Sequence, residues 1–211
     1  MTEELFRLDS YLSSCDALVV SADSTGIELD RTVFYATGGG QPGDQGILRL
    51  KDGGEVVVSD CQKDRESGQH VHIPTEGAAL PAVGERVIAE IDWARRHKLM
   101  RMHSCLHLLC AIVDGGVTGG QVGEEKSRLD FDLEDTSLDR EALTDRLNRL
   151  IIDNHAVKIS SIRDAELAAN PDLVRTMSVQ PPTGTGKVRL ISIGSVDLQP
   201  CGGTHVQATG E

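Results

Sequence analysis

The sequence predicts an α+β protein: a small N-terminal β-barrel over residues 1–91, then a two-layer α/β sandwich over residues 92–211 with a mainly antiparallel sheet. Three observations predict it. Short β-favouring runs broken by Gly, Asp and Pro recur through the first part. At residue 92 the pattern changes to that of a long helix. Beyond this helix, strand-like runs alternate with amphipathic helices, which favours helices packed on one face of a sheet.

The β-favouring runs of the first part are short and evenly spaced, as is typical of a small barrel. They cover residues 17–21, 32–35, 46–50, 55–60 and 85–91. Residues 74–84 are interpreted as the loop before the last strand, and we place the domain boundary near Ile91. Taken by itself, the glycine-rich segment 37–46 is interpreted as a hairpin loop, because it fits no nucleotide-binding fingerprint. His70 and His72 alternate on another predicted strand and are interpreted as surface histidines.

The second part begins with a helix from Asp92, its expected N-cap, to about Val113. Because residues 106–113 are apolar almost all round, we expect this half of the helix to be buried and central. The segments that follow are a turn-rich loop at 115–123, a strand at 127–133, a helix at 138–154 capped by Ser137, a strand at 156–161, a short helix at 163–170, and strands at 187–193 and 195–198.

Two pairs of histidine and cysteine predict a metal site. His103 and His107 share one face of the predicted helix, with Cβ atoms about 6 Å apart. Cys201 and His205 have the same separation, but the two glycines between them favour a tight loop. Imidazole and thiolate together favour zinc, so we predict one Zn²⁺ per chain held by these four residues. A zincin protease is disfavoured because Ser104 stands where its HExxH motif needs Glu.

The net charge of −12 argues against a general nucleic-acid binder, since such binding depends on neutralising phosphates. One local exception is a basic run on the predicted helix that contains no carboxylate: Arg95, Arg96, Lys98 and Arg101. This run fits either an RNA-binding surface or an ordinary solvated helix face.

Composition also limits location and cofactors. No apolar run approaches the ~20 residues that span a bilayer, and the N-terminus is not that of a signal peptide. Five scattered cysteines favour a reducing compartment, so we expect a cytoplasmic protein without a membrane partner. The stretch 183–187 lacks the leading glycine and the final Ser/Thr of a phosphate loop. We interpret it as a turn and expect no nucleotide cofactor; the sequence does not indicate an oligomeric state.

Taken together, several segments resemble the editing domain of alanyl-tRNA synthetases. They are Asp92-Trp93, Arg96, Met100 to Ser104 and His107 to Leu109 on the predicted helix, then Arg128 to Phe131, Gln199 to Val206, and the glycine-rich Phe34 to Gly46. The chain has no room for an aminoacylation domain. It therefore resembles the free-standing AlaX editing proteins, most of all the medium-length type, in which a small translation-factor-like barrel precedes the zinc domain. Family members usually continue after this last motif, so either the chain is truncated or its sheet edge is finished differently.

The resemblance implies a hydrolase that cuts the ester between a wrong amino acid and the tRNA for alanine, removing serine or glycine. It also implies that the glycine-rich loop leans over the zinc pocket. From that loop we carry over Gln41 as a catalytic candidate, and Gly38, Gly39, Gly40 and Asp44 as substrate-binding candidates.

Other candidates come from their position beside the predicted ligands. Ser104 and Thr204 are catalytic candidates that would orient the ligands, with local backbone capping as the alternative. Gln121 and the four basic residues are substrate-binding candidates. Four ligands describe a closed site, whereas catalytic zinc usually keeps a position for water. Either one ligand is loose, or zinc organises the pocket while Gln41 and backbone groups do more; we expect all four to line the metal.

Two other functions stay open. Threonyl-tRNA synthetases carry a related zinc domain, so the chain fits editing of that type as well. Alternatively, the metal could serve only to stabilise the fold of a non-catalytic module that binds RNA or protein.

Overall fold

The structure, a computed structural model, describes residues 2–64, 66–134, 137–176 and 186–211. The chain divides into two compact units, Met1–Lys98 and Leu99–Glu211. A closed antiparallel barrel and a mixed set of helices and strands confirm the predicted α+β class. Among the described helices, none combines the length and apolar character needed to span a membrane.

The described residues of the first unit form eight strands. They are β1 Glu3–Glu4, β2 Ser14–Asp23, β3 Gly26–Leu29, β4 Arg31–Thr32, β5 Gly46–Leu50, β6 Glu55–Lys63, β7 His70–Pro74 and β8 Arg86–Ile91, with a 3-10 turn at Leu5–Arg7. Six of them close the predicted barrel in the order β2-β3-β7-β6-β5-β8. Every neighbouring pair is antiparallel, including β8 and β2, which close the ring. The remaining two, β1 and β4, pair in parallel.

Apolar side chains at alternate positions of the strands fill the interior of the barrel. On β6, Val56 and Val58 are buried while Val57 between them is exposed. On β8, Val87 is buried and Ile88 is exposed in the same way. Successive side chains of a strand point to opposite faces, so one face of each strand supplies the core of a small barrel.

The histidines of β7 were predicted to lie on the surface, and this was wrong. His72 is fully buried, with Nδ1 2.9 Å from the Ile27 carbonyl oxygen and Nε2 2.8 Å from Thr32 Oγ1. His70 is also buried and lies 2.7 Å from a Glu4 carboxylate oxygen. A neutral imidazole with both nitrogens paired can be buried at little cost, and burial lowers the pKa of His72 to about 4.

The second unit combines sheet and helices. Its elements, with the helix that leads into it, are α1 Trp93–Ile112, β9 Gly116–Gln121, β10 Arg128–Asp132, α2 Arg140–Ile152, β11 Val157–Arg163, α3 Asp164–Ala168, a 3-10 turn Pro171–Leu173, β12 Lys187–Ile193 and β13 Asp197–Pro200. β11, β12 and β13 form an antiparallel sheet. Leu108 of α1 and Leu147 of α2 belong to one apolar cluster with Ile191 and Ile193 of β12. Both helices therefore cover one face of this sheet, which gives the two layers.

The predicted start of α1 is confirmed, because Asp92 Oδ1 accepts a hydrogen bond from the Arg95 amide at 3.0 Å. The predicted start of α2 was wrong by two residues. Asp139, rather than Ser137, caps this helix and accepts from the Ala142 amide at 3.0 Å. A carboxylate both satisfies a free amide and opposes the positive end of the helix dipole.

The turn-rich loop predicted at 115–123 is instead mostly strand β9, which pairs with β10. A Cβ on Gly119 would lie 2.8 Å from Asp130 Oδ2, and one on Gly120 would lie 2.9 Å from Leu129 Cδ2. These glycines therefore make room for the facing strand rather than break their own. The turn predicted at 183–187 falls largely on residues 183–185, which lie outside the described part of the chain.

Candidate metal centre

The second unit brings together the two pairs of predicted metal ligands. His103 and His107 lie one turn apart on α1, and Cys201 and His205 lie in the loop that follows β13. One donor atom from each of the four side chains lies within 4.8 Å of the other three. Three of the four residues are buried and Cys201 is half-buried.

The separations within the cluster fit a single metal ion. Cys201 Sγ lies 3.6 Å from His103 Nε2 and 3.3 Å from His205 Nε2. A tetrahedral ion with bonds of about 2.0–2.3 Å separates its donors by about 3.3–3.8 Å. The donor set of three imidazoles and one thiol is also chemically suited to a metal ion. The cluster could therefore hold one.

The electrostatics of the cluster favour the ligand forms of Cys201 and His205. Burial opposes ionisation of Cys201, but the neighbouring His103 and His205 lower the pKa of this thiol well below its usual value. Burial, together with the charge of His103, lowers the pKa of His205 to about 3. A thiolate and a neutral imidazole are the forms that bind metal, so a cation can replace protons here.

The loop that carries Cys201 and His205 is held by Arg189 of β12. Its Nη1 donates to the carbonyl oxygens of Cys201, at 2.7 Å, and of Gly203, at 2.9 Å. The Gly203 amide in turn donates to Cys201 Sγ at 3.4 Å. These three hydrogen bonds hold the sulfur on the side of His103 of α1, in the tight loop that the two glycines predicted.

Two buried polar residues at the centre were missed by the sequence reasoning. Asp197 Oδ2 lies 2.9 Å from His107 Nδ1, and Gln199 Nε2 lies 2.9 Å from the same carboxylate oxygen. Asp197, Gln199 and Cys201 stand at alternate positions, while Leu198 between the first two is exposed. Alternate residues of a strand share one face. The sequence signal that could have identified Asp197 and Gln199 is therefore their spacing of two residues, which continues to the predicted ligand Cys201.

Of the other candidates in this unit, Ser104 contacts the ligand set. Its Oγ lies 3.1 Å from His205 Nδ1 and accepts from the Val206 amide at 3.3 Å. Thr204 is fully buried. Gln121 is exposed at the end of β9, opposite Arg128 of β10. The functional roles of these three residues stay predictions.

In the first unit, the glycine-rich segment forms a tight hairpin turn. The backbones of Gly38 and Gln41 exchange two hydrogen bonds of 3.0 Å. Gly39 and Gly40 between them have φ of 56° and 80°, which is the left-handed pair that a two-residue hairpin turn requires. Gln41 is buried. The segment is therefore a preformed turn.

The acidic and basic candidates of the first unit have different environments. Arg96 is fully buried: Nε lies 3.0 Å from both Asp44 carboxylate oxygens, Nη1 donates to the Ser10 carbonyl at 3.0 Å, and Nη2 donates to the Val33 carbonyl at 2.7 Å. This buried pair holds the glycine-rich segment to the start of α1.

The remaining basic candidates are more accessible. Lys98 and Arg101 are exposed. Arg95 is half-buried, and its Nη1 donates to the Gly43 carbonyl oxygen at 2.8 Å. An RNA-facing role is open to these three and not to Arg96.

Two known family models match parts of the chain, one in each unit. The family model described as tRNA synthetases class II (A) matches residues 10–95. The model described as the threonyl and alanyl tRNA synthetase second additional domain matches residues 188–211, which include Cys201 and His205.

Curated relatives align over the whole chain. An alanyl-tRNA editing protein AlaX-M of Methanosarcina acetivorans is 36% identical over 100% of this chain and 90% of its own length. An AlaX-L protein of Pyrococcus horikoshii is 31% identical over 100% of this chain and 52% of its own length. An alanine–tRNA ligase of Pyrobaculum aerophilum is 36% identical over 100% of this chain and 24% of its own length. The chain therefore belongs to the family of alanyl-tRNA editing proteins.

Proposed function

We propose that this protein is a trans-editing hydrolase that deacylates mischarged alanine tRNA, with serine and glycine as the amino acids removed. The observation that carries the proposal is the convergence of His103, His107, Cys201 and His205, in a chain whose relatives are named alanyl-tRNA editing proteins. Such an activity has a chemical rationale. Synthetase pockets for small side chains reject a competitor with one extra hydroxyl by only about 10²-fold, so a second, hydrolytic sieve is needed.

We further propose that the metal is Zn²⁺, one per chain, because three imidazoles and a thiolate suit this ion. When bound, it would supply Lewis-acid polarisation of an ester carbonyl and a lower pKa for a nearby water. The contribution of the protein is positional. Ser104 contacts the His205 ring and Asp197 contacts the His107 ring, so the orientations of both imidazoles are defined before substrate arrives.

The remaining candidates are proposed to act on the substrate or to orient the ligands. Gln41 is proposed to act at the aminoacyl ester and Thr204 to orient the neighbouring His205, while Gly38, Gly39 and Gly40 are proposed to line the path of the ester. The turn that carries Gln41 is held by its own backbone hydrogen bonds. This supports a binding role, because substrate binding would not have to order the turn. Gln121 and the accessible cations Arg95, Lys98 and Arg101 are proposed to contact the tRNA, where each phosphate contact would add salt-dependent affinity.

The decisive experiment is a deacylation assay on seryl-, glycyl- and alanyl-tRNA for alanine, with and without a chelator. We expect release of serine and glycine, survival of the alanyl form, and loss of activity after chelation that added Zn²⁺ restores. The variant His103→Ala should be inactive. His97→Ala, which changes a histidine of the same helix outside the cluster, should keep the wild-type rate.

The same assay separates the alternatives. The family description that matches residues 188–211 names threonyl as well as alanyl synthetases, so seryl-tRNA for threonine is included as a substrate. Preferential hydrolysis of that tRNA would indicate editing of the threonyl type. Release no faster than in buffer for every substrate would refute a hydrolase and leave a module in which the metal only stabilises the fold.

A further inference from the structure

We propose that Asp197 is the positioning residue of the metal centre, and that it makes His107 a ligand through Nε2. The inference rests on the proposed function only in assuming that a metal binds. Asp197 is a carboxylate whose side chain is fully buried, and it lies outside the set of candidate ligands. Its Oδ2 lies 2.9 Å from His107 Nδ1. With Nδ1 engaged in this contact, only Nε2 of His107 remains for an ion.

The carboxylate is oriented from two sides. Gln199 Nε2 donates to Oδ2 at 2.9 Å, so this oxygen accepts from both Gln199 and His107. The other oxygen, Oδ1, is buried and has no hydrogen-bond partner among the described residues. Arg175 Nε lies 3.9 Å from Oδ1, and Arg175 Nη1 donates to the Cys110 carbonyl of α1 at 2.9 Å.

This environment is unfavourable for a carboxylate unless a further positive charge is present. Burying a carboxylate with one oxygen unbonded is costly, and the partly exposed Arg175 is too distant to donate to it. A cation on His107 would supply the missing charge through the imidazole. Carboxylates that accept the second nitrogen of a ligating histidine fix its tautomer and ring orientation, and strengthen it as a ligand.

The role of Gln199 follows from the same geometry. Its amide nitrogen also lies 3.1 Å from His107 Nδ1, but both groups are donors when Nε2 faces the ion. Gln199 therefore orients the carboxylate of Asp197 and does not compete with it for the hydrogen bond from His107 Nδ1. The chain of contacts runs from Gln199 to Asp197 to His107.

The test is metal affinity, measured on the full chain by competition of Zn²⁺ with a chromophoric chelator. We expect Asp197→Ala to weaken affinity by about 10- to 100-fold. Asp197→Asn keeps the shape and one acceptor but loses the charge, so it should fall between Asp197→Ala and wild type. Arg175→Gln is the matched control in the same network; its long, partly exposed ion pair predicts a change of no more than about fivefold.

A second readout separates positioning from a structural role. Co²⁺ in place of Zn²⁺ gives a visible spectrum that depends on the geometry of its ligands, and we expect Asp197→Asn to alter this spectrum while Arg175→Gln leaves it unchanged. If Asp197→Ala fails to fold, the isosteric Asp197→Asn decides. Affinity within about threefold of wild type and an unchanged spectrum for Asp197→Asn would overturn the inference. Inactivity of the wild type on every tRNA would refute the proposed function without affecting these metal measurements.

Discussion

Replacing Asp44 by alanine is expected to destabilise the barrel unit strongly. The change leaves the guanidinium of Arg96 fully buried and without its carboxylate, and it removes an acceptor from the Tyr35 amide, 2.6 Å from Asp44 Oδ2. Breaking one side of a buried ion pair costs about 3–5 kcal/mol. Since whole domains are stable by only about 5–15 kcal/mol, the loss should be a large fraction of the total.

The assay is urea unfolding followed by tryptophan fluorescence. Trp93 is the only tryptophan of the chain, and its ring lies 5.3 Å from that of Tyr11, so its emission reports the first unit. The control is Glu90→Ala, which breaks an exposed pair with Arg49 and should barely move the midpoint. The double variant Asp44→Leu with Arg96→Met, which removes both charges, should recover much of the lost stability.

The result also separates two roles for Asp44. A loss of about 3–5 kcal/mol in Asp44→Ala, largely recovered in the double variant, assigns this residue to the fold. Unchanged stability with a raised KM for aminoacyl-tRNA would refute the reasoning, and would return Asp44 to the substrate-binding set predicted from the family.

Three further outcomes are expected. Burial lowers the pKa of His72 from 6.5 to about 4, so between these values the unfolded chain binds a proton that the folded barrel excludes. Unfolding free energy should therefore fall by about 3 kcal/mol as pH drops from 6.5 to 4, and His72→Gln should lose this part of the slope in urea titrations. A Cβ on Gly43 would collide with the Cys61 carbonyl, whereas one on Gly39 meets nothing within 4 Å. Gly43→Ala should thus cost about 3 kcal/mol and Gly39→Ala, at positive φ, about 1–2 kcal/mol in the same assay. Free Zn²⁺ at about 1,000 times its Kd should stabilise the second unit by about 4 kcal/mol, seen as a thermal shift that Cys201→Ser abolishes.

Each of these outcomes has a clear contradiction. An identical pH slope in wild type and His72→Gln would show that this imidazole titrates normally in the folded state. Equal stabilities of the two glycine variants would mean that the backbone at residue 43 moves freely away from β6. A thermal shift that persists in Cys201→Ser would place the bound Zn²⁺ elsewhere on the protein.

The elements that sequence reasoning predicted well are those with a strong local signal. Asp92 and the periodic pattern after it located α1 to within a residue or two, and β5 was placed at its observed bounds because its run is flanked by Gly and Asp on the two sides. The spacing of two pairs of residues was likewise enough to select four side chains that the structure places together.

The failures have a common cause, which is that the deciding partner lies on another element of the fold. Arg96 belongs to a basic run that fits an ordinary solvated helix face. Its burial depends on the ion pair with Asp44, which is 52 residues away in the sequence. Gly119 and Gly120 of β9 look like turn formers in the sequence, yet each lies close to a side chain of the facing strand β10. Asp197 looks like an ordinary strand residue until the face of β13 that meets His107 is known.

The ligands of the candidate metal centre come from two segments separated by most of the second unit. A bound ion would therefore act as a reversible cross-link that closes a very long loop. Cross-links that close long loops remove more conformational entropy from the unfolded chain than those that close short ones. Shortage of the metal in a cell would then reduce the amount of intact protein as well as its activity, since unfolded chains are degraded. Abundance of this protein should follow metal supply even when its synthesis is held constant.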